Sequence, residues 1–148
     1  MRRPFTQLYV HLVWSTWDRL PLITSEVEPR LHAAIAVKCR ELRAEPLAIG
    51  GMEDHVHLLV RLPTALAVAA LVKEVKGSSS HLVTHEVTPG QFFKWQGGYG
   101  AFTRSREEAA AVTAYILHQR EHHVHGDLWA DEEQTEEIAE GAEEPEQE

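Results

Sequence analysis

His55-Val56-His57 is the sharpest chemical feature of the sequence. Successive side chains of a β-strand alternate faces, so the two imidazoles point the same way and Val56 points the other. Two neutral imidazoles on one face can bind a single divalent cation. An isolated pair of this kind also fits two half-exposed strand histidines. The second feature is Tyr115 with Gln119. On a helix, residues four apart lie one turn from each other on the same side. A hydroxyl able to act as a nucleophile and an amide oxygen able to act as a ligand would then project together. A tyrosine beside Val112 and Ile116 equally fits the edge of an amphipathic core.

The chain around these residues reads as alternating strands and helices. Residues 5–14 are rich in aromatic and β-branched side chains and predict a first strand. After a loop with Pro21, Thr24 and Ser25 are N-cap candidates, and Ser25 with Glu28 has capping-box spacing. Apolar Leu31, Ile35 and Leu42 extend that helix to about Arg43. Residues 47–52 and 56–62 predict a hairpin across the Glu53-Asp54 turn, so the histidine pair opens its second strand. Thr64 can cap a second helix reaching Val75 and resuming past Gly77 to His85. Pro89, Gly90, Gly97, Gly98 and Gly100 mark loops around a short strand at residues 99–103. Ser105 with Glu108 is a further capping box, opening a third helix through Tyr115 to about His123. The order βαββαβ followed by α predicts an α+β fold of the ferredoxin-like kind, an antiparallel sheet with two helices on one face and a last helix carrying the tyrosine. That fold serves RNA binders, metal carriers and nucleases alike, so it leaves function open.

Composition narrows the classes. A chain of 148 residues with 43% apolar content can build one core, which excludes a disordered protein. No run approaches the roughly 18 apolar residues of a membrane span, and the first residues, MRRPFTQLYVHLVW, lack a signal-peptide cleavage site. A soluble, cytoplasmic protein with no membrane association is expected. Cys39 is the single cysteine, which excludes a disulfide framework or a thiolate metal cluster; on the first helix it reads as packing. The net charge of −9 is unevenly spread. All 14 Lys and Arg precede Gly126, whereas 11 of the 23 acidic residues fall in residues 127–148. A slightly basic body, residues 1–126, therefore carries an acidic tail, residues 127–148, expected to be disordered beyond Ala130. A nucleic-acid partner stays open for such a body.

Six segments, in order and spacing, carry a resemblance: YVHLVWST from Tyr9, RLPLIT from Arg19, GMEDHVHLLV from Gly51, VKGSSS from Val75, FKWQGGYGAF from Phe93 and YILHQREHH from Tyr115. Together they resemble the single-tyrosine transposases of the HUH nuclease superfamily, over roughly residues 5–123. The resemblance implies a metal-dependent single-strand DNA endonuclease and strand transferase working near hairpins. It implies Tyr115 as the nucleophile and His55, His57 and Gln119 as ligands of the metal. Tyr99 is the competing tyrosine and is set aside, because it falls in the glycine-flanked strand segment rather than the helix motif. Mg²⁺ or Mn²⁺ suits two imidazoles and an amide oxygen that leave positions open for phosphate and water. A homodimer is implied as well, with the tyrosine helix of one protomer able to complete the other's site. A non-catalytic, host-adopted hairpin binder is the alternative reading, and a small metal-binding protein unrelated to DNA a third.

Weaker candidates surround these. Asp54 can orient a ligand histidine or cap the hairpin turn. His122, His123 and His125 form either a second metal site or a polar helix end. Trp14 and Trp95 read as packing, and Trp17, in a loop, as a base contact. Two features depart from the resemblance and weaken attraction to phosphate. In Trp17-Asp18-Arg19-Leu20 only Arg19 is basic, and the tail is strongly acidic. The tail could compete with DNA or simply confer solubility.

Overall fold

Strand alternation around the histidine pair sets the architecture. In the computed structural model, which describes residues 2–119 together with Glu133 and Thr135, His55–Arg61 forms a central strand, β3. It is paired antiparallel on one side with β1, Tyr9–Ser15, and on the other with β2, Glu45–Met52. β4, Gly100–Arg104, joins the free side of β1, which gives the strand order β2-β3-β1-β4. With the helices α1, Val27–Glu41, and α2, Val68–Leu82, this is the ferredoxin-like βαββαβ arrangement. α3, Arg106–Leu117, follows and carries Tyr115. No helix among the described residues is long and apolar enough to cross a membrane.

The two faces of the sheet have different work. Val10, Leu12 and Trp14 of β1 and Val56, Leu58 and Val60 of β3 pack against Leu31, Ile35 and Cys39 of α1 and Leu71, Val72 and Val75 of α2, forming the main core. Trp14 and Trp95 meet edge to face there with ring centroids 5.9 Å apart, the packing role expected for them. Cys39 is buried in this core and burial pushes its thiol up to about 11, so it is inert. On the opposite face a smaller cluster, Ala48, Leu59, Val112 and Ile116, holds α3.

Gly50 allows that last contact: a Cβ at this position would run into the Ile116 carbonyl oxygen of α3. Gly51 plays the matching part inside the hairpin, where a Cβ would meet the His55 carbonyl oxygen.

Several local expectations shift. β1 starts at Tyr9, and Phe5 is exposed, because only from Tyr9 on does the segment have strand partners on both sides. The Ser25–Glu28 box does not form; the Val27 N–H donates instead to Thr24 Oγ1 at 3.3 Å. Thr64 caps nothing, since α2 begins four residues later after Ala67, with no side-chain cap. Gly77 does not interrupt α2, because the buried stripe Leu71, Val72, Val75 and Ser79 continues past it. The Ser105–Glu108 capping box does form, in both directions. α3 runs to Leu117, where His118 leaves helical geometry at φ −108° and ψ 27°; the end expected near His123 lies outside the described residues. His122, His123 and His125, and the tail apart from Glu133 and Thr135, lie outside the described residues.

Candidate metal and tyrosine site

His55 and His57 face α3, on the side of the sheet away from the main core, because Val56, Leu58 and Val60 claim the other side. Register places His57 opposite Val13 and His55 opposite Ser15. α3 lays Tyr115 across them, the Tyr115 and His57 rings meeting edge on at 6.0 Å between centroids. Gln119 comes from just beyond the end of α3, yet its Oε1 lies 3.2 Å from His55 Nε2. The four residues singled out in the sequence thus converge, all of them at most 2% exposed. The tyrosine and the histidines of a single chain meet here.

Each histidine is held from behind by its Nδ1. His55 Nδ1 donates to Asp54 Oδ1 at 2.7 Å, and that hydrogen bond keeps the Asp54 carboxyl below the usual carboxylate range. The Asp54 backbone oxygen also accepts from the Thr16 N–H at 2.9 Å and from Thr16 Oγ1 at 3.2 Å, so this residue both shapes the turn and orients the His55 ring. His57 Nδ1 lies 2.8 Å from Nε2 of His11, a residue that the sequence analysis passed over. His11 is fully buried. Burial, with the charges of His57 and Arg104, pushes it down to about 3, so it is neutral at ordinary pH.

Glu133 was also not singled out. Its Oε2 lies 3.1 Å from His57 Nε2 and 3.4 Å from His55 Nε2, and its Oε1 accepts the Tyr115 hydroxyl proton. Burial by itself would raise this carboxyl. Hydrogen bonds from His57 and Tyr115 and the charge of His57 outweigh it and hold the group at about 2. Nothing in the local sequence marks it, since it is one of 11 acids in an acidic tail.

The donor set fits a divalent cation. One ligand atom each of His55, His57 and Glu133 lie within 4.8 Å of one another. With Nδ1 of His55 turned to Asp54, its Nε2 faces Gln119 Oε1 at 3.2 Å and Glu133 Oε2 at 3.4 Å. Two imidazole nitrogens with carboxylate and amide oxygens are a donor set that a divalent cation accepts.

The surroundings supply further polar groups. A cavity of about 420 Å³ beside His55 is lined by Arg19, Pro21, Met52, Glu53, Asp54 and Glu133. Arg19 reaches it from the turn Trp17–Arg19, in which Asp18 and Arg19 both adopt left-handed backbone, with φ 52° and 54°. The turn is fixed by Trp17 N–H donating to the Lys94 carbonyl at 2.9 Å and Asp18 N–H donating to Gln96 Oε1 at 3.0 Å. Lys94 sits over the Trp17 ring at 4.0 Å, adding a second cation near Arg19 of the Trp17–Leu20 segment.

Comparison with known proteins bears on the whole domain. The family model described as IS200-like transposase matches residues 4–119. A Deinococcus radiodurans R1 protein assigned as a transposase, solved by crystallography, is 26% identical with a TM-score of 0.60, covering 80% of this chain and 95% of its own. A REP-associated tyrosine transposase bound to a REP hairpin is 20% identical with a TM-score of 0.62, covering 83% of this chain and 73% of its own. No curated protein matches significantly.

Proposed function

Since this chain belongs to the IS200-like transposase family, we propose that it is a metal-dependent single-strand DNA endonuclease and strand transferase that cuts near DNA hairpins through a 5′-phosphotyrosine intermediate. One observation carries the reading: the Tyr115 hydroxyl and the Nε2 atoms of His55 and His57 meet on a single anionic group, the Glu133 carboxylate. A nucleophile and a pair of metal donors that converge on one anion are placed as phosphodiester cleavage requires.

In this reading His55, His57 and Gln119 hold Mg²⁺ or Mn²⁺, with Glu133 close enough to share the ion in the absence of DNA. A divalent cation there supplies charge neutralisation for the phosphate oxygens, which a hydroxyl with an ordinary pKa near 10 needs in order to react at neutral pH. Asp54 and His11 hold the two rings with Nε2 inward. Tyr115 Oη attacks phosphorus and gives its proton to water, the bond from phosphorus to the 3′ oxygen breaks, and that oxygen takes a proton from water and leaves as a 3′-hydroxyl. The 5′ side stays on the tyrosine. A second 3′-hydroxyl reverses the step and joins a new strand, with no ATP, because the phosphoester bond is conserved.

The hairpin preference draws support from the structural relative bound to a REP hairpin. Arg19 and Lys94, with Trp17 between them, offer phosphate and stacking contacts next to the cavity. Tyr115 over the histidines of the same chain supports cleavage by one chain; a homodimer, in which the tyrosine helix of one protomer could also serve the other's site, would bring two such sites to two DNA ends, in the cytoplasm where that DNA is found.

The test is a labelled single-stranded hairpin incubated with the protein and Mg²⁺ or Mn²⁺. A protein-linked band on a denaturing gel, absent for Tyr115→Phe, supports the reading. Hairpin binding with no cleavage under either metal would instead assign a binding role, and cleavage by Tyr115→Phe would remove Tyr115 from the chemistry.

A further inference from the structure

His11 lies on β1, opposite Leu59 and diagonal to His57, on the sheet face that α3 covers. Its ring stacks on that of His57 with centroids 5.0 Å apart and planes 23° from parallel. Phe102 of β4 backs it from the other side, with ring centroids at 5.9 Å. A fully buried imidazole is an expensive group to place in a core, and here its Nε2 is spent on one atom, His57 Nδ1 at 2.8 Å. That atom is the one His57 does not offer to the site. His11 is not part of the group of close donors around Glu133; its hydrogen bond toward that group is the one to His57.

We infer that His11 is a positioning residue for the metal: its Nε2 accepts the His57 Nδ1 proton, which fixes the ring orientation and, once a metal takes the place of the proton that His57 Nε2 shares with Glu133, the tautomer in which Nε2 turns a lone pair into the site. The reason is tautomer chemistry. A neutral imidazole carries its proton on one nitrogen only, and a metal takes the nitrogen without it. An acceptor at Nδ1 therefore selects the metal-binding form of His57, as Asp54 does for His55. The two ligand histidines are matched in geometry but not in partner. One leans on a partly exposed carboxylate at a turn, the other on a buried ring whose position is set by the β1–β3 register. This role rests on the metal reading given above for His55 and His57.

Mn²⁺ binding by calorimetry, on the full-length chain without DNA, tests it together with thermal unfolding of the metal-free protein. His11→Gln carries an amide oxygen to about the place of the imidazole Nε2, whereas His11→Asn stops short of it and His11→Leu fills the space without an acceptor. Loss of an orienting partner of this kind weakens metal binding about 10- to 100-fold. We expect that loss in His11→Asn and His11→Leu and near wild-type affinity in His11→Gln, with metal-free unfolding temperatures that do not follow the same order. Equal affinity across all the folded variants would overturn the role, as would a His11→Gln variant as weak as His11→Asn. A wild-type protein that binds no Mn²⁺ would overturn the metal reading itself, before any variant is compared.

Discussion

The Tyr115 hydroxyl donates its hydrogen bond to Glu133, a residue 18 positions further along the chain. With that partner in place the hydroxyl is committed to a carboxylate of the same chain, and Tyr115 is only 1% exposed. If Tyr115 is the nucleophile proposed above, DNA has to displace Glu133 before its phosphate can reach the hydroxyl.

Two anions then compete for one place, and removing the inner one should help the other. Ending the chain at Ala130 takes away Glu133 and moves the formal net charge from −9 to +1, since 10 acids lie in residues 131–148. The shortened protein is expected to bind a single-stranded hairpin several-fold more tightly at low salt, with the gain shrinking as salt screens the competition. Glu133→Ala should reproduce the part of the gain that resists salt. Equal affinities for all three proteins at every salt concentration would mean that the tail only confers solubility.

His55→Ala and His57→Ala should each abolish cleavage while hairpin affinity stays close to that of the wild type, because affinity comes mainly from phosphate and base contacts elsewhere. Gln119→Ala should cut less deeply, since water can replace one neutral oxygen donor. Calorimetry on the double histidine variant decides whether the ion is held here: undiminished Mn²⁺ binding would place it elsewhere.

Acid should destabilise the fold through His11. The groups facing it are His57 on β3, Arg104 beside Phe102 on β4, and the carboxylate of Glu133. Held at about 3 in the fold against 6.5 when unfolded, it takes a proton in the unfolded chain first. Stability is thus fully present above about pH 6.5 and is lost as pH falls toward 3, by at most about 1.4 kcal/mol for each unit. Urea denaturation of metal-free His11→Leu between pH 6.5 and 4 should give a flatter dependence than the wild type. An unchanged slope would assign the acid sensitivity to other groups.

Much of this site could be read from local spacing, because two of its relationships are short range. Strand alternation puts His55 and His57 on one face, and one helical turn brings Tyr115 near Gln119, although α3 ends between them and the pair still converges. The ferredoxin-like order followed from the same periodicities. His11 was not legible, since its hydrogen bond to His57 spans 46 positions and exists only once β1 and β3 are in register. Glu133 was less so, 76 positions from His57 in a segment whose composition suggests no structure. Helix starts at Ser25 and Thr64 failed for a simpler reason: tertiary packing, rather than the nearest hydroxyl, decided where α1 and α2 begin.

Gly50→Ala should lower activity through geometry alone. Its added Cβ meets backbone of α3 at Ile116, next to Tyr115, so the helix has to shift. Destabilisation of about 1–3 kcal/mol by urea unfolding is expected, with cleavage reduced by at least tenfold, since displacement of a nucleophile by an ångström costs about that much or more. Gly97→Ala, which would meet open space, is the control and should match the wild type.

The histidines and the tyrosine rest on supports of unequal persistence. β3 is hydrogen-bonded along both edges and cannot open unless the sheet does. α3 is secured by a patch of Ala48, Leu59, Val112 and Ile116 and can lift away while the main core stays intact. Local opening is cheapest where the least apolar surface is lost. His55 and His57 therefore rest on the strand that the whole sheet holds, while Tyr115 rests on a helix held by the smaller of the two apolar clusters.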